Sequence, residues 1–213
     1  GRSPAETRDI MESANIHSGI FMNGQVVLYR DQLVYSSEIP TETVEKFHQM
    51  VKEDGYGLTA YNDKQFYLVA SSPGAKDAYG FIHSNPPALN PDFYKENPIN
   101  MMLFISLPPA EEKYKVAFPN LDFLRNTPYS VDVISKGNSK AEGIKRFLEH
   151  LNQEDAKTYA FGDGPNDIEM LQAVSHPVAM GNALPILKEI AEFITTDNTD
   201  NGIVNGLKHY GLI

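Results

Sequence analysis

The sequence predicts an α/β protein in which a parallel sheet covered by helices occupies the last third of the chain. In residues 130–213, four short apolar runs alternate with four amphipathic stretches, and repeated strand–helix units of this length are typical of parallel sheets. The middle of the chain mixes strands and helices without strict alternation, which favours an α+β arrangement. Because ligands bind at the carboxyl ends of parallel strands, we expect functional residues in the loops that follow the strands of the last third.

The first part of the chain, residues 1–37, is predicted to contain one helix over Ala5–Ala14. Three apolar strands are expected after it, over Gly19–Met22, Gln25–Tyr29 and Leu33–Tyr35. The Arg30-Asp31 pair between the last two strands indicates a hairpin turn.

The middle part, residues 38–129, is predicted to open with a helix after Pro40. Its apolar residues recur at helical spacing, at Val44, Phe47, Met50 and Val51. Strands are expected over Gly57–Tyr61, Gln65–Ala70, Ile99–Leu107 and Leu121–Arg125. Four prolines predict a loop over Ser84–Pro98.

The last part is predicted to alternate strand and helix four times. Strands are expected over Val131–Ile134, Thr158–Phe161, Pro177–Met180 and Glu192–Thr195. Helices are expected over Ser139–Leu151, Asp167–Val174, Leu184–Ala191 and Gly202–Tyr210.

Composition narrows the function classes. The 213 residues hold 18 Lys and Arg against 28 Asp and Glu, so the formal net charge is −10, which argues against a surface for nucleic acid or anionic membranes. No apolar run approaches the ~20 residues that span a bilayer. The chain has no cysteine, which excludes disulfides and thiolate metal sites and fits a cytoplasmic location.

The loop Gly162-Asp163-Gly164-Pro165-Asn166-Asp167 directly follows a predicted strand. Two glycines allow a sharp turn close to a ligand, and carboxylate and amide oxygens at a strand end suit a hard cation such as Mg²⁺. A plain strand–turn–helix connection in which Asp167 serves as the helix N-cap explains the same residues about equally well.

A second loop, residues 136–142, precedes a predicted helix. Ser139 and Glu142 have the spacing of a capping box, which places Lys140 at the first helical position. A lysine there opposes the helix dipole unless an anion binds beside it, and a solvated lysine is the simpler alternative. If both loops open on the same edge of one sheet, a cation site lies beside an anion site, as phosphoryl transfer requires.

These residues resemble a known family. Residues 163–171 read D-G-P-N-D-I-E-M-L and residues 178–183 read V-A-M-G-N-A, which is similar to the fourth motif of Cof-type (class IIB) phosphatases of the haloacid dehalogenase superfamily. Residues 135–143 are similar to the lysine-bearing third motif of that family. Gly1-Arg2 resembles the end of the second motif, and Asn23-Gly24 resembles the dipeptide that follows it.

The resemblance implies a Rossmann-like core interrupted by an inserted α+β cap of the C2B type. The core would comprise residues 1–37 and 130–213, and the cap residues 38–129. The activity implied is a Mg²⁺-dependent phosphatase that acts on small phosphorylated metabolites through an aspartyl-phosphate. Asp163 would ligate the metal, and Asp167 would support the metal site without ligating the metal itself. Lys140 would bind the transferring phosphoryl group and the nucleophile. The phosphate-binding residues implied are Lys140, Asn166, Asn23 and Arg2.

The sequence departs from the family in one respect. The nucleophile and the acid/base of the family are two aspartates in a D-x-D-G-T motif, and no D-x-D occurs in these 213 residues. If the resemblance holds, a preceding segment supplies the first strand and both aspartates, and it would be a partner of this chain beside the phosphorylated metabolite. That segment is either part of an intact or cleaved parent protein, or it has been lost by truncation of the gene. The alternative is an inactive phospholigand-binding or interaction protein. A P-type ATPase fragment shares the G-D-G-x-N-D loop but is disfavoured because no membrane span is predicted.

Overall fold

The computed structural model describes residues 1–213 apart from the side chain of Asn126. The chain separates into two compact units, residues 1–138 and residues 139–213. Each unit has its own sheet or sheets and its own hydrophobic core. The division into two core parts and a cap stays a prediction.

The first unit begins with helix α1, Pro4–Ser13, which Ser3 caps through a hydrogen bond to the Glu6 N–H. Strands β1 (Gly19–Phe21), β2 (Val26–Tyr29) and β3 (Gln32–Ser36) then form an antiparallel sheet in that order. Arg30 and Asp31 both have positive φ angles, of 50° and 63°, which is the conformation of a two-residue turn that matches the twist of its strands. The predicted hairpin is confirmed.

A five-stranded antiparallel sheet forms the rest of the first unit. Its strands are β4 (Gly57–Tyr61), β5 (Phe66–Ala70), β6 (Met101–Ile105), β7 (Leu121–Thr127) and β8 (Ser130–Ser135), in the spatial order β5-β4-β6-β8-β7. Its helices are α2 (Thr41–Glu53), α3 (Ala75–Phe81), α4 (Phe93–Glu96) and α5 (Glu111–Ala117). Helices α3 to α5 were not predicted, because each is too short to repeat an amphipathic pattern.

The strand at Val131–Ile134 corrects one expectation. It was predicted to belong to the parallel sheet, but it is the middle of β8, which pairs antiparallel with both β6 and β7. All four of these residues are buried. A short apolar run buried on both faces looks the same in a parallel sheet and in the centre of a covered antiparallel sheet, so the sequence could not separate the two.

Aromatic packing holds the core of this unit together. Phe47 on α2 is fully buried, and its ring centroid lies 5.7 Å from that of Phe104, 5.0 Å from Tyr114 and 4.9 Å from Phe118. The hydroxyl of buried Tyr114 donates a hydrogen bond to Asp54 Oδ2 at 2.9 Å, so its polar end is satisfied.

The second unit contains the parallel sheet that the alternating pattern predicts. Strands β9 (Tyr159–Gly162), β10 (His176–Ala179) and β11 (Phe193–Ile194) pair parallel in the order β11-β10-β9. The helices are α6 (Lys140–Leu151), α7 (Ile168–Ala173), α8 (Pro185–Ile190) and α9 (Gly202–His209). Buried Leu171, Val174 and Leu187 lie in its core. Within the described residues, no helix combines the length and the apolar character needed to cross a bilayer.

Candidate active site

The loop after β9 folds back on itself around Asp167. Its Oδ2 accepts hydrogen bonds from the backbone N–H groups of Asp163 at 3.0 Å and Gly164 at 3.1 Å. Gly162 makes this possible, because a Cβ at that position would lie 2.7 Å from the Cβ of Asp167. Asp167 therefore does not act as a simple N-cap of α7, for which the described structure contains no side-chain cap.

The tip of α6 lies next to this loop. Ser139 has an extended backbone, with φ −153°, and its Oγ accepts the Glu142 N–H at 3.2 Å, so the helix begins at Lys140 as predicted. Glu142 does not complete the capping box, since its carboxylate pairs with Arg146 at 3.1 Å. The Nζ of Lys140 reaches Asp167 Oδ1 at 2.5 Å. The solvated lysine is thereby excluded.

The two loops meet for a reason different from the expected one. They were expected to follow neighbouring strands of one sheet, but β8 belongs to the antiparallel sheet of the other unit. In the second unit α6 packs against α7, and this helix–helix contact brings Lys140 to Asp167.

The Lys140–Asp167 pair is largely removed from solvent. The side chain of Asp167 is 9% exposed and that of Lys140 is 28% exposed. Burial alone would raise the pKa of Asp167, but the Lys140 ammonium and the two loop N–H groups outweigh it and hold that pKa below its usual value of 3.8. The pair is therefore an ionised carboxylate against an ammonium at neutral pH.

Asp163, at the end of β9, has the opposite environment. It is exposed, and its Oδ2 accepts a hydrogen bond at 2.8 Å from the amide of Asn182, which follows β10. An amide has no net charge, so it orients the carboxylate without placing a positive charge beside it. Among the described residues, no other hydrogen bond to the carboxylate of Asp163 is made.

The carboxylates of this loop could bind a divalent cation in only one of the two usual ways. The described residues contain no group of three or more His, Asp or Glu side chains that could hold a metal ion, so an all-protein cage is excluded for them. Mg²⁺ does not require such a cage, because it keeps several waters and binds through one or two carboxylates plus substrate phosphate. An exposed, uncompensated Asp163 fits that mode, whereas Asp167 is already occupied by Lys140.

The remaining candidates divide between the units. Asn166 lies in the 3₁₀ turn Pro165–Asp167 beside the other loop residues of the second unit. Arg2 and Asn23 lie in the first unit, where the Met22 N–H donates to the Arg2 carbonyl at 2.9 Å. Asn23 is buried in a left-handed conformation with φ 54°. Their roles stay predictions.

Two polar residues of these clusters were given no role from the sequence. Asn182 follows a strand of the parallel sheet, so the rule that ligands bind at strand ends could have identified it. Asp132 could not have been found in this way, because it lies inside β8. Its buried Oδ2 accepts the Asn23 amide at 2.9 Å and lies 2.5 Å from the Gly1 nitrogen.

Comparison with known proteins identifies relatives over the whole chain. The family profile described as haloacid dehalogenase-like hydrolase matches residues 1–207. YkrA of Bacillus subtilis (strain 168), whose name assigns it provisionally to the phosphatases, is 37% identical over 214 residues, which cover 100% of this chain and 83% of YkrA.

Solved structures agree with that result. The crystal structure of a hypothetical protein from Geobacillus kaustophilus HTA426 is 32% identical and superposes with a TM-score of 0.90, over 100% of this chain and 83% of that chain. The sugar phosphatase BT4131, of haloacid dehalogenase subclass IIB, is 26% identical with a TM-score of 0.84, over 100% of this chain and 84% of its own.

Proposed function

The chain belongs to the haloacid dehalogenase-like hydrolases, an α/β family that includes phosphatases, and from that premise we propose that it forms the phosphate- and magnesium-binding part of a phosphomonoesterase. The substrates would be small phosphorylated metabolites such as sugar phosphates, nucleotides or phosphorylated cofactors. The sugar phosphatase among the structural relatives supports the first of these classes.

One observation carries the proposal. Two aspartates four residues apart in the loop after β9 have opposite electrostatic roles, because Asp167 is paired with Lys140 while Asp163 is exposed and uncompensated. An ammonium at the tip of a 12-residue helix attracts phosphate together with the backbone N–H groups at the start of that helix. An exposed carboxylate nearby attracts a cation. Phosphoryl transfer requires both kinds of group.

Each side chain has a distinct task in this proposal. Asp163 would hold Mg²⁺, which when bound neutralises charge on the phosphoryl oxygens. Lys140 would stabilise the charge of the transferring group, and Asp167 would fix Lys140 in position. Asn166, Asn23 and Arg2 would contact the phosphate.

The covalent step requires a residue of another kind. One aspartate carboxylate would attack phosphorus and break its bond to the substrate oxygen, and the acid/base aspartate would protonate that oxygen so that it leaves as the alcohol. Water, giving its proton back to the acid/base aspartate, would then cleave the aspartyl-phosphate to inorganic phosphate and the free carboxylate. Because no D-x-D occurs in the 213 residues, we assign both aspartates to a segment that precedes them in the intact enzyme.

The test is hydrolysis of p-nitrophenyl phosphate with Mg²⁺. We expect no turnover by the 213-residue chain and clear turnover once the segment that carries D-x-D precedes it. In the active form, Lys140→Ala and Asp163→Ala should each lower kcat by roughly 10²-fold or more. Lys145→Ala, on the exposed face of the same helix, is the control. Robust turnover by the 213-residue chain would refute the assigned nucleophile, and near-wild-type rates in both variants would refute the assigned roles.

A second candidate is a phospholigand-binding protein without turnover, and the absence of D-x-D is the observation that favours it. Calorimetric titration of the 213-residue chain with inorganic phosphate tests binding by itself. Binding that Lys140→Ala abolishes, combined with no hydrolysis by the form that carries the preceding segment, would favour this candidate over the phosphatase.

A further inference from the structure

We propose that Asn182 is a positioning residue for the metal-binding carboxylate Asp163, and that the loop after β11 holds Asn182 in place. The inference rests on the proposed function, since it assigns the task of Asn182 through Asp163. It concerns the ends of all three parallel strands, at Asp163 after β9, Asn182 after β10 and Asn198 after β11.

The amide of Asn182 uses both of its ends. Its Nδ2 donates to Asp163 Oδ2 at 2.8 Å, and its Oδ1 accepts the backbone N–H of Asn198 at 3.2 Å. The second bond determines which way the amide faces, because the oxygen must meet the N–H of Asn198 and the NH₂ group must then meet Asp163. One side chain thus links three consecutive strand ends of the sheet.

Backbone packing restrains both ends of this link. A Cβ on Gly181 would lie 2.6 Å from the backbone nitrogen of Asp197, so the turn that carries Asn182 and the loop that carries Asn198 are in close contact. The Gly181 N–H also donates to the Thr196 carbonyl at 3.0 Å. On the far side, Asn205 of α9 donates to Thr196 Oγ1 at 2.8 Å and to the Asp200 carbonyl at 3.2 Å.

A neutral partner suits a carboxylate that must bind a cation. Lys140 is a cationic partner of Asp167. A lysine in the same position beside Asp163 would repel a metal cation. An amide supplies direction without positive charge, and a carboxylate has enough acceptor capacity to keep one amide bond while it binds a cation. The two aspartates of the loop therefore have partners that match different tasks.

The test measures metal binding rather than turnover. The 213-residue chain is titrated with Mn²⁺, which prefers the same oxygen ligands as Mg²⁺, and free Mn²⁺ is followed by electron paramagnetic resonance. We expect Asn182→Ala to weaken Mn²⁺ binding by about 10- to 100-fold, as removal of a group that orients a metal ligand does. In an Asp163→Ala background the same substitution should have no further effect, because its route of action is gone.

Asn205→Ala is the matched control. It removes two hydrogen bonds that restrain the same loop but does not touch Asp163, so we expect Mn²⁺ affinity within about twofold of wild type. Thermal unfolding of every variant measures the loss of stability separately.

The possible outcomes distinguish failure of the positioning role of Asn182 from failure of the proposed metal site at Asp163. If Asp163→Ala weakens Mn²⁺ binding and Asn182→Ala does not, the positioning role is wrong and the metal site stands. An equal loss in Asn205→Ala would also overturn the role, since affinity would then follow loop stability. No Mn²⁺ binding by the wild-type chain, or unchanged binding by Asp163→Ala, would overturn both the inference and the proposed metal site.

Discussion

The antiparallel unit and the parallel unit use their polar side chains in opposite ways. In the first unit, buried polar groups satisfy one another, as where the hydroxyl of Tyr79 bonds to Tyr61 at 2.9 Å and to Thr59 at 2.8 Å. In the second unit, polar side chains gather at strand ends, where Asp163 and Asn182 are exposed. In these examples the buried polar groups of the first unit pair with one another, whereas the strand-end polar groups of the second unit stay exposed to solvent.

The ion pairs of the two units differ in the same sense. In the first unit Arg125 binds Glu111 through two nitrogens at 2.6 Å each and also donates to the Ser106 carbonyl, so every group in the cluster is compensated. In the second unit the Lys140–Asp167 ion pair lies close to the carboxylate of Asp163, which has no cationic partner among the described residues. Uncompensated charge is tolerated at an exposed strand end because water solvates it.

The largest expected effect tests whether packing holds the first unit together. Phe47→Ala should lower the free energy of unfolding by about 3–5 kcal/mol, because it empties the centre of an aromatic cluster. Phe81→Ala is the matched control, since Phe81 is 53% exposed and its ring lies 5.7 Å from that of Tyr129, tilted by 57°. It should cost about 1 kcal/mol. Urea unfolding measures both, and similar losses would contradict the comparison.

The next effect tests the compensated carboxylate of the second unit. Lys140→Met should lower the free energy of unfolding by about 1.5–3 kcal/mol at neutral pH, because Asp167 loses a charged hydrogen-bond partner. With the ammonium gone, burial dominates and the pKa of Asp167 should rise, which a carboxyl-carbon NMR titration detects. Lys145→Met, at an exposed and long ion pair, should change neither quantity.

Acid should diminish the destabilising effect of Lys140→Met. The pKa of Asp167 is lowered in the folded state, so the stability from its ionised form is present above 3.8 and is lost as the pH falls through the folded pKa. The difference between wild type and Lys140→Met should therefore shrink below pH 3.8. A difference that stays constant to pH 2 would show that the pair does not act through ionisation.

The sequence predicted the parallel unit better than the antiparallel one, for a physical reason. Strand–helix alternation is a local pattern, and all four helices and three strands of the second unit appear where that pattern places them. The pairing of β8 is a long-range property. Its apolar residues fit either sheet, and only the neighbours β6 and β7 decide between them.

For the site, the sequence predicted where the residues lie along the chain but not the contacts between them. Lys140 at a helix start and Asp163 at a strand end follow from capping and turn patterns. The Lys140–Asp167 contact depends on how α6 packs on α7. Because the two residues are 27 positions apart in the sequence, local patterns do not determine that packing. The contact of Asn182 with Asp163 depends on the register of β10 against β9, which pairs Ala179 with Gly162.

A smaller expected effect is a loss of folding stability of the first unit in mild acid, caused by buried His48. Burial lowers the pKa of His48 from 6.5, although its bond to the Val69 carbonyl opposes this shift. Below pH 6.5 the unfolded chain takes up the proton more readily, so stability should fall, by at most about 1.4 kcal/mol per pH unit for one proton. His48→Gln should flatten urea midpoints between pH 5 and 7, whereas exposed His83→Gln should not. Equal slopes in wild type and His48→Gln would contradict the assignment.

The smallest expected effect concerns how the helix that carries Lys140 is started. In the described part of the first unit, α2 to α5 begin without a side-chain cap. Helix α6 has such a cap, because the Ser139 hydroxyl oxygen accepts a hydrogen bond from the Glu142 N–H. Ser139→Ala should cost about 1 kcal/mol in unfolding free energy, and Ser139→Gly only a few tenths. A cap at this helix fixes where its first residue lies, so a larger loss of phosphate affinity than of stability in Ser139→Ala would indicate that the cap serves to place Lys140. Proportionate losses would mean that it serves the fold alone.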